Sequence, residues 1–289
     1  MSAPPAIVES CSQLLAGYDV LLCDVWGVVH DGNRAFQEAN AALMAFRARG
    51  GTVILVSNAP TPSTNVARVL DDKGVVREAW DAIVSSGDLA LAHIRAEGWQ
   101  RLHHLGPARR DRAFFEALSE PSAAIDEAEA MACTGLVDDR KETAEDYRER
   151  LAMARERDLP LVCANPDLVV HVGDDLLPCA GAIGALYETM GGRVFWAGKP
   201  FPIAYDTALA EAARLRGADV LRSRVLAIGD SIRTDLAAAA GAGVDALFIA
   251  AGIHREAAMA GSRVSAEGIL RLFADDGPPA VAAAASLRM

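Results

Sequence analysis

The chain has 289 residues, 52% of them hydrophobic, and a formal net charge of −11. That length allows one large or two medium domains with a substantial core. The negative balance argues against a nucleic-acid binder, which needs a basic face to meet phosphates. No stretch approaches the roughly 20 uninterrupted apolar residues of a bilayer span, so no membrane partner is expected. The segment MSAPPAIVESCSQ lacks the basic-then-apolar order of a secretion signal. Cys11, Cys23, Cys133, Cys163 and Cys179 form no CxxC pair, so neither a disulfide framework nor a zinc cage is expected. The expected location is cytoplasmic.

The predicted elements alternate between strand and helix. DVLLCD (Asp19–Asp24) is a buried-strand pattern, followed by a helix over Gln37–Gly50 that ends on glycine. TVILVS (Thr52–Ser57) is a β-branched strand, and Ser63–Gly74 reads as a helix capped by Ser63. DAIVSS (Asp81–Ser86) is a third strand. From about Gly87 to Ala180 the texture changes to charged helices with the strand-like segments MACTGLV and LPLVCAN, as in a second α/β unit inserted into the first. The first rhythm then returns: RVFWAG (Arg193–Gly198), a helix, RVLAIGD, the helix TDLAAAAGAG, and ALFIAAG. Repeated strand–helix units of this length imply a parallel sheet covered by helices. The tail DDGPPAVAAAASLRM reads as a loose helix, because its alanine run has high helix propensity.

In open α/β sheets, ligands bind beyond the carboxyl ends of the strands. Asp24 ends the first strand, Ser57 and Asn58 end the second, Lys199 follows another, and Asp230 ends VLAIG. Taken singly, each has an ordinary structural explanation. Aspartates after strands cap helices, Asp235 suits a helix first turn, Lys199 before Pro200 is a solvated loop charge, and Ser57 and Asn58 form turns. His103 and His104 read as surface residues and Cys23 as core. Asp167 and His171 are read equally as substrate-facing or as loop structure.

Four segments in order change that balance: DVWGVVHDG (Asp24–Gly32), LVSNAP (Leu55–Pro60), GKPFPIAYDTAL (Gly198–Leu209) and IGDSIRTDLAAAAGAG (Ile228–Gly243). With ANPDLVV (Ala164–Val170) and PCAGAIGAL (Pro178–Leu186), the chain resembles the haloacid-dehalogenase superfamily, in its NagD-like class IIA branch. The resemblance implies a doubly wound parallel-sheet core over residues 1–84 and 182–289, with an inserted cap over 85–181 that selects the substrate. It implies Mg2+ held by Asp24, Asp230 and the backbone carbonyl of Trp26, with Asp235 in the outer shell. Asp24 would attack phosphorus to form an aspartyl phosphate. Ser57 and the amides of Trp26, Gly27 and Asn58 would bind the phosphoryl group. Lys199 would neutralise charge, and Asp167 of the cap would face the substrate. Branch members act on sugar phosphates, pyridoxal phosphate, nucleotides and aryl phosphates, so the implied partner is a small phosphorylated metabolite; a homodimer is compatible with the branch.

One position departs from the pattern. Family phosphatases carry a second aspartate where this chain has Trp26, and that aspartate supplies general-acid catalysis worth ~10²–10⁴-fold. Indole cannot supply it. Either the leaving groups are good ones, or His30 or Asp31 replaces the acid, or the chain binds phosphorylated ligands without turnover. Carbon–halogen or phosphonate cleavage is the remaining alternative; three gathered carboxylates favour a metal site and phosphoryl chemistry over the metal-free dehalogenase.

Overall fold

A computed structural model describes residues 4–118, 121–172, 175–274 and 277–289. In chain order the strands are Ala6–Ile7 (β1), Val20–Cys23 (β2), Thr52–Ser57 (β3), Ala82–Ser85 (β4), Leu102–Leu105 (β5), Ala130–Cys133 (β6), Leu161–Cys163 (β7), Val169–Val172 (β8), Asp175–Pro178 (β9), Val194–Trp196 (β10), Val225–Gly229 (β11), Asp245–Ile249 (β12), Met259–Ala260 (β13), Arg263–Val264 (β14) and Ala282–Ala284 (β15). They belong to two compact units. The first comprises Met1–Ser57, Ala67–Val84 and Pro202–Met289; the second comprises Asn58–Val66 and Ser85–Phe201.

The first unit holds a seven-stranded sheet in the order β1-β15-β12-β11-β2-β3-β4. Its centre is parallel, with Leu22 opposite Ile54 on one side and Ala227 on the other. Every residue of β2 and of β3 is buried, as expected of strands covered on both faces. The flanking helix Gln37–Ala48 buries Ala39, Leu43 and Phe46, a spacing that aligns one apolar stripe. From β2 the chain steps outward through β3 and β4, and later returns beside β2 as β11 before stepping outward the other way. The crevice beyond β2 and β11 is therefore the topological switch point of a doubly wound α/β sheet, where such sheets bind ligands.

The second unit is built on a parallel sheet of order β10-β7-β6-β5. Leu105, Met131, Leu161, Ile183 and Tyr187 are among the side chains that close its core. Helix Ser86–Glu97 starts where the Ser85 hydroxyl accepts from the Asp88 amide and stops at Gly98 in the left-handed conformation. β8 and β9 form an antiparallel hairpin. Among the described residues, no helix is long and apolar enough to cross a membrane.

Four expectations are corrected. Arg193–Gly198 was assigned to the series of core strands, yet β10 pairs with β7 and the helix Ala180–Thr189 buries Ile183 and Tyr187 in the second unit. The compact unit that contains β10 spans Ser85–Phe201 together with Asn58–Val66. The alanine tail is a strand, not a loose helix: Ala282 and Ala283 pair with Leu247 and Phe248 on one side and with Ala6 and Ile7 on the other. Sheet pairing overrides the helix propensity of alanine. Helix Ser63–Asp72 begins at Ser63 itself, so the serine lies inside the first turn and not at the cap. Finally, His103 and His104 lie on β5, half-buried, with the His104 ring stacked on Phe115 at 4.6 Å.

Ala283 is fully buried between two strands. Ala283→Leu should overpack this site and lower stability by about 1–3 kcal/mol, read as a lower urea midpoint. Val281→Ala, at an exposed neighbour, should change stability by less than about 0.5 kcal/mol. Equal midpoints for wild type and Ala283→Leu would remove β15 from the stabilising core.

Candidate active site

The strand register sets the site of the first unit. Cys23 pairs with Leu55 and with Ile228, so Asp24 lies one residue beyond β2, and Asp230 follows β11 immediately. The Asp24 amide donates to the Ile228 carbonyl at 2.8 Å, which extends the pairing to the backbone of Asp24 itself. After Asp230 comes a single π turn, Ile232–Leu236, which begins where the Ser231 hydroxyl accepts from the Thr234 amide. Such wide turns recur at functional sites. This one buries Asp235 and lets its carboxylate accept from the Ser231 amide at 3.0 Å. The result is that Asp24, Asp230 and Asp235 each bring a carboxylate oxygen within 4.8 Å of the others.

Two glycines make room for the Asp230 carboxylate. A Cβ on Gly27 would stand 2.1 Å from Asp230 Oδ2, and one on Gly252 would stand 2.0 Å from the same oxygen. Gly27 also has φ +82°, a conformation few other residues adopt. The Ile253 amide donates to Asp230 Oδ2 at 2.7 Å. Gathered carboxylates held by backbone amides present the hard oxygen donors a divalent cation requires, so the residues fit a metal ion. Asp24 and Asp230 would hold it, with Asp235 beside them.

Ser57 closes β3 and is buried. Cys23 is fully buried, as expected of a core thiol.

The second unit gathers three more of the residues singled out. Asn58 is buried, and its Nδ2 donates to Asp167 Oδ1 at 2.9 Å and to the Lys199 carbonyl at 3.0 Å. Its Oδ1 accepts from the Lys199 amide at 2.9 Å and from the Ser86 hydroxyl at 3.3 Å. The Asn58 side chain thus clamps the backbone of Lys199 from both sides. Lys199 is only 2% exposed, which rules out a solvated loop charge. Asp167 meets the Asn58 amide and takes part in local loop structure, its own amide donating to Asn165 Oδ1. His171 is exposed on the β8–β9 hairpin.

Neither neighbour of Trp26 is set up as a replacement acid. His30 is 3% exposed, and its Nδ1 accepts from the Gly32 amide at 2.9 Å. Burial, helped by the Lys73 charge, pushes its pKa down to about 4, so it is neutral near pH 7 and a poor proton donor. Asp31 accepts from the amides of Asn33 and Arg34, and the Arg34 amide leads in holding its carboxyl below the usual range. It is therefore ionised.

Sequence reasoning missed Gly252 and Ile253, which seat Asp230, and Ser86, which completes the Asn58 clamp. The one available signal was the glycine at the end of ALFIAAG, on the strand beside β11.

Residues 21–117 match the family model for haloacid dehalogenase-like hydrolases, and residues 196–275 match a HAD-hydrolase-like model. No curated protein matches the chain. Among solved structures, the chain is similar to a haloacid dehalogenase-like hydrolase from Brucella suis, at 40% identity and TM-score 0.84, over 97% of this chain and 100% of that one. A possible sugar phosphatase from Cytophaga hutchinsonii has the same fold at 19% identity and TM-score 0.77, over 97% and 98% of the two chains. So does a 4-nitrophenylphosphatase from Thermotoga maritima, at 20% identity and TM-score 0.69, over 93% and 95%.

Gly27→Ala should displace the Asp230 carboxylate and weaken divalent-cation binding by roughly 10–100-fold, as changes around metal ligands do. Calorimetric titration with Mg2+ or Mn2+ checks this, and unchanged affinity would remove Asp230 from the cation site. His30 makes stability pH-dependent. In the unfolded chain an imidazole takes up its proton near pH 6.5, but in the fold His30 does so only near 4. The unfolded state binds more protons between those values, so the His30 contribution is complete above pH 6.5 and is lost as pH falls toward 4. The slope is up to about 1.4 kcal/mol per pH unit, and the loss about 3 kcal/mol in all. His30→Asn, which keeps an acceptor for Gly32, should flatten the fall in urea midpoint between pH 7 and 4.5; an identical slope in both proteins would contradict it.

Proposed function

Because this chain belongs to the haloacid dehalogenase-like hydrolases, we propose that it is a magnesium-dependent phosphatase of small phosphorylated metabolites with good leaving groups. The observation that carries the proposal is the convergence of Asp24, Asp230 and Asp235 within 4.8 Å at the switch point. Bound there, Mg2+ would offset the repulsion between a carboxylate nucleophile and a phosphate dianion. Asp24, Asp230 and the Trp26 carbonyl would be its ligands, with Asp235 outside them.

In this scheme an Asp24 carboxylate oxygen forms a bond to phosphorus as the bond to the leaving oxygen breaks, and that oxygen keeps the electron pair. Water then attacks the aspartyl phosphate, releases inorganic phosphate and restores the carboxylate. Dividing the hydrolysis in two lowers each barrier. Ser57 donates its hydroxyl to a phosphoryl oxygen, joined by the amides of Trp26, Gly27 and Asn58. Lys199, clamped by Asn58, supplies fixed positive charge for the phosphoryl group. Asp167 serves first to hold Asn58. With Trp26 in the place of the acid, and with His30 neutral and Asp31 ionised, the leaving oxygen departs unprotonated. Acyl phosphates, anhydrides and aryl phosphates tolerate that; alkyl and sugar phosphates do not. The Cytophaga and Thermotoga structures, a possible sugar phosphatase and a 4-nitrophenylphosphatase, support phosphoryl chemistry on this fold. The acidic cluster supports it over metal-free carbon–halogen cleavage. We place the protein in the cytoplasm, with no nucleic-acid or membrane partner, and a homodimer suits the scheme.

The test is phosphate release with Mg2+ across acyl, anhydride, aryl and alkyl phosphates. Wild type should favour the first three, and Asp24→Asn should fall to the background. Trp26→Asp restores an ionisable group and should gain most on alkyl phosphates, toward the ~10²–10⁴-fold that proton transfer supplies. A uniform gain over all leaving groups would mean that acid catalysis is not what limits the range. Absent turnover with ligand-induced thermal stabilisation would replace the phosphatase with a phosphate-ligand binder.

A further inference from the structure

Trp26 is 37% exposed, the most exposed of the described Trp, Tyr and Phe side chains. Its neighbours Val25, Val28, Val29 and His30 are all buried. Exposure of a single apolar residue is ordinary; the way this ring is held is not. Gly32 has φ +88°, and a Cβ there would stand 2.6 Å from Trp26 Cζ2 and 2.7 Å from Cη2. The indole therefore lies directly on glycine backbone. The His30 ring stands edge-on to it, with centroids 5.2 Å apart at 70°. His30 is itself pinned, because its Nδ1 accepts from the Gly32 amide and its backbone bridges to Trp26. A bare glycine seat and a locked imidazole thus fix one indole while about a third of its surface stays in solvent.

We propose that Trp26 is a stacking platform that selects phosphate esters whose leaving group is a flat aromatic ring. The inference rests on the phosphoryl-transfer proposal above and narrows its substrate class. The chemistry of one residue explains both halves. When Asp24 bonds to phosphorus, the aryl oxygen leaves with the electron pair and spreads the charge into its ring, so no proton donor is needed at that moment. Solvent protonates the oxygen after departure. The side chain that displaced the acid offers a π-face to the same ring, held in place before the substrate arrives. A rigid aromatic surface binds flat rings with little loss of conformational freedom. It gives an acetyl or alkyl group much less.

Steady-state kinetics on the full chain with Mg2+ test the platform, using phenyl phosphates and acetyl phosphate as paired probes. In Trp26→Leu, the preference for phenyl over acetyl phosphate in kcat/KM should fall on the order of tenfold, chiefly through KM. Trp26→Phe should restore most of it. An unchanged preference in Trp26→Leu, or a wild type with no preference for the ring, overturns the platform while leaving the phosphatase standing. If no phosphate ester is turned over above the Asp24→Asn background, the phosphatase is wrong and binding decides the platform instead. Quenching of tryptophan fluorescence by phenylphosphonate well beyond that by methylphosphonate, and lost in Trp26→Leu, supports it; equal quenching by the two overturns it.

Discussion

Three carboxylates within 4.8 Å repel one another by roughly 4 kcal/mol per pair at the effective dielectric of a protein surface. Side chains on flexible loops would turn apart. Here they cannot, because Asp24 and Asp230 project from the ends of two adjacent, fully buried strands, and Asp235 is held in a π turn that starts at the end of the second. Backbone amides fix Asp230 and Asp235 individually. The wide turn, the glycines at 27 and 252 and the tight register of β2 against β11 can all be understood as means of holding like charges together. A cation bound there would offset that repulsion.

The parts of this arrangement that were legible are those whose sequence signal is local. Strands buried on both faces must be continuously apolar, so β2, β3, β11 and β12 stand out as runs. Asp24, Asp230 and Asp235 stand at fixed offsets from those runs. What escaped depends on partners distant in the chain. RVFWAG reads correctly as a strand, but nothing within it says that Val194 will pair with Leu161 and not with the larger sheet. The alanines at 282–284 favour helix by propensity and become strand only because β12 and β1 supply hydrogen-bonding edges. Asn58 shows the same limit at the scale of a side chain. Its place after a strand was visible, but its grip on Lys199, 141 residues later, was not.

The segment from Asp24 to Gly32 accommodates a bulky side chain. Trp26, where the resemblance led to the expectation of an aspartate, places an indole ring in a tightly turned loop. The ring fits because Gly32 lacks a side chain where it lies, and His30 turns its edge toward it. His30 is neutral because it is buried, and Asp31 is committed to the amides of the following turn. His30 and Asp31, which resemble acid–base groups on paper, are thereby an acceptor and a turn former.

The pairing of β1 with β15 also orders events in time. Among the described residues, Ala6 and Ile7 have strand partners in Ala282 and Ala283 alone, so this pairing waits for residues made some 275 positions later. Meanwhile the second unit, whose sheet draws on residues 102–196, can complete its pairing as the ribosome passes. The larger sheet lacks β11 until residue 229 has emerged, and β12 gains its partner β15 only after residues 282–284 have followed. Asp24 thus waits through some 200 residues of synthesis for Asp230 and Asp235.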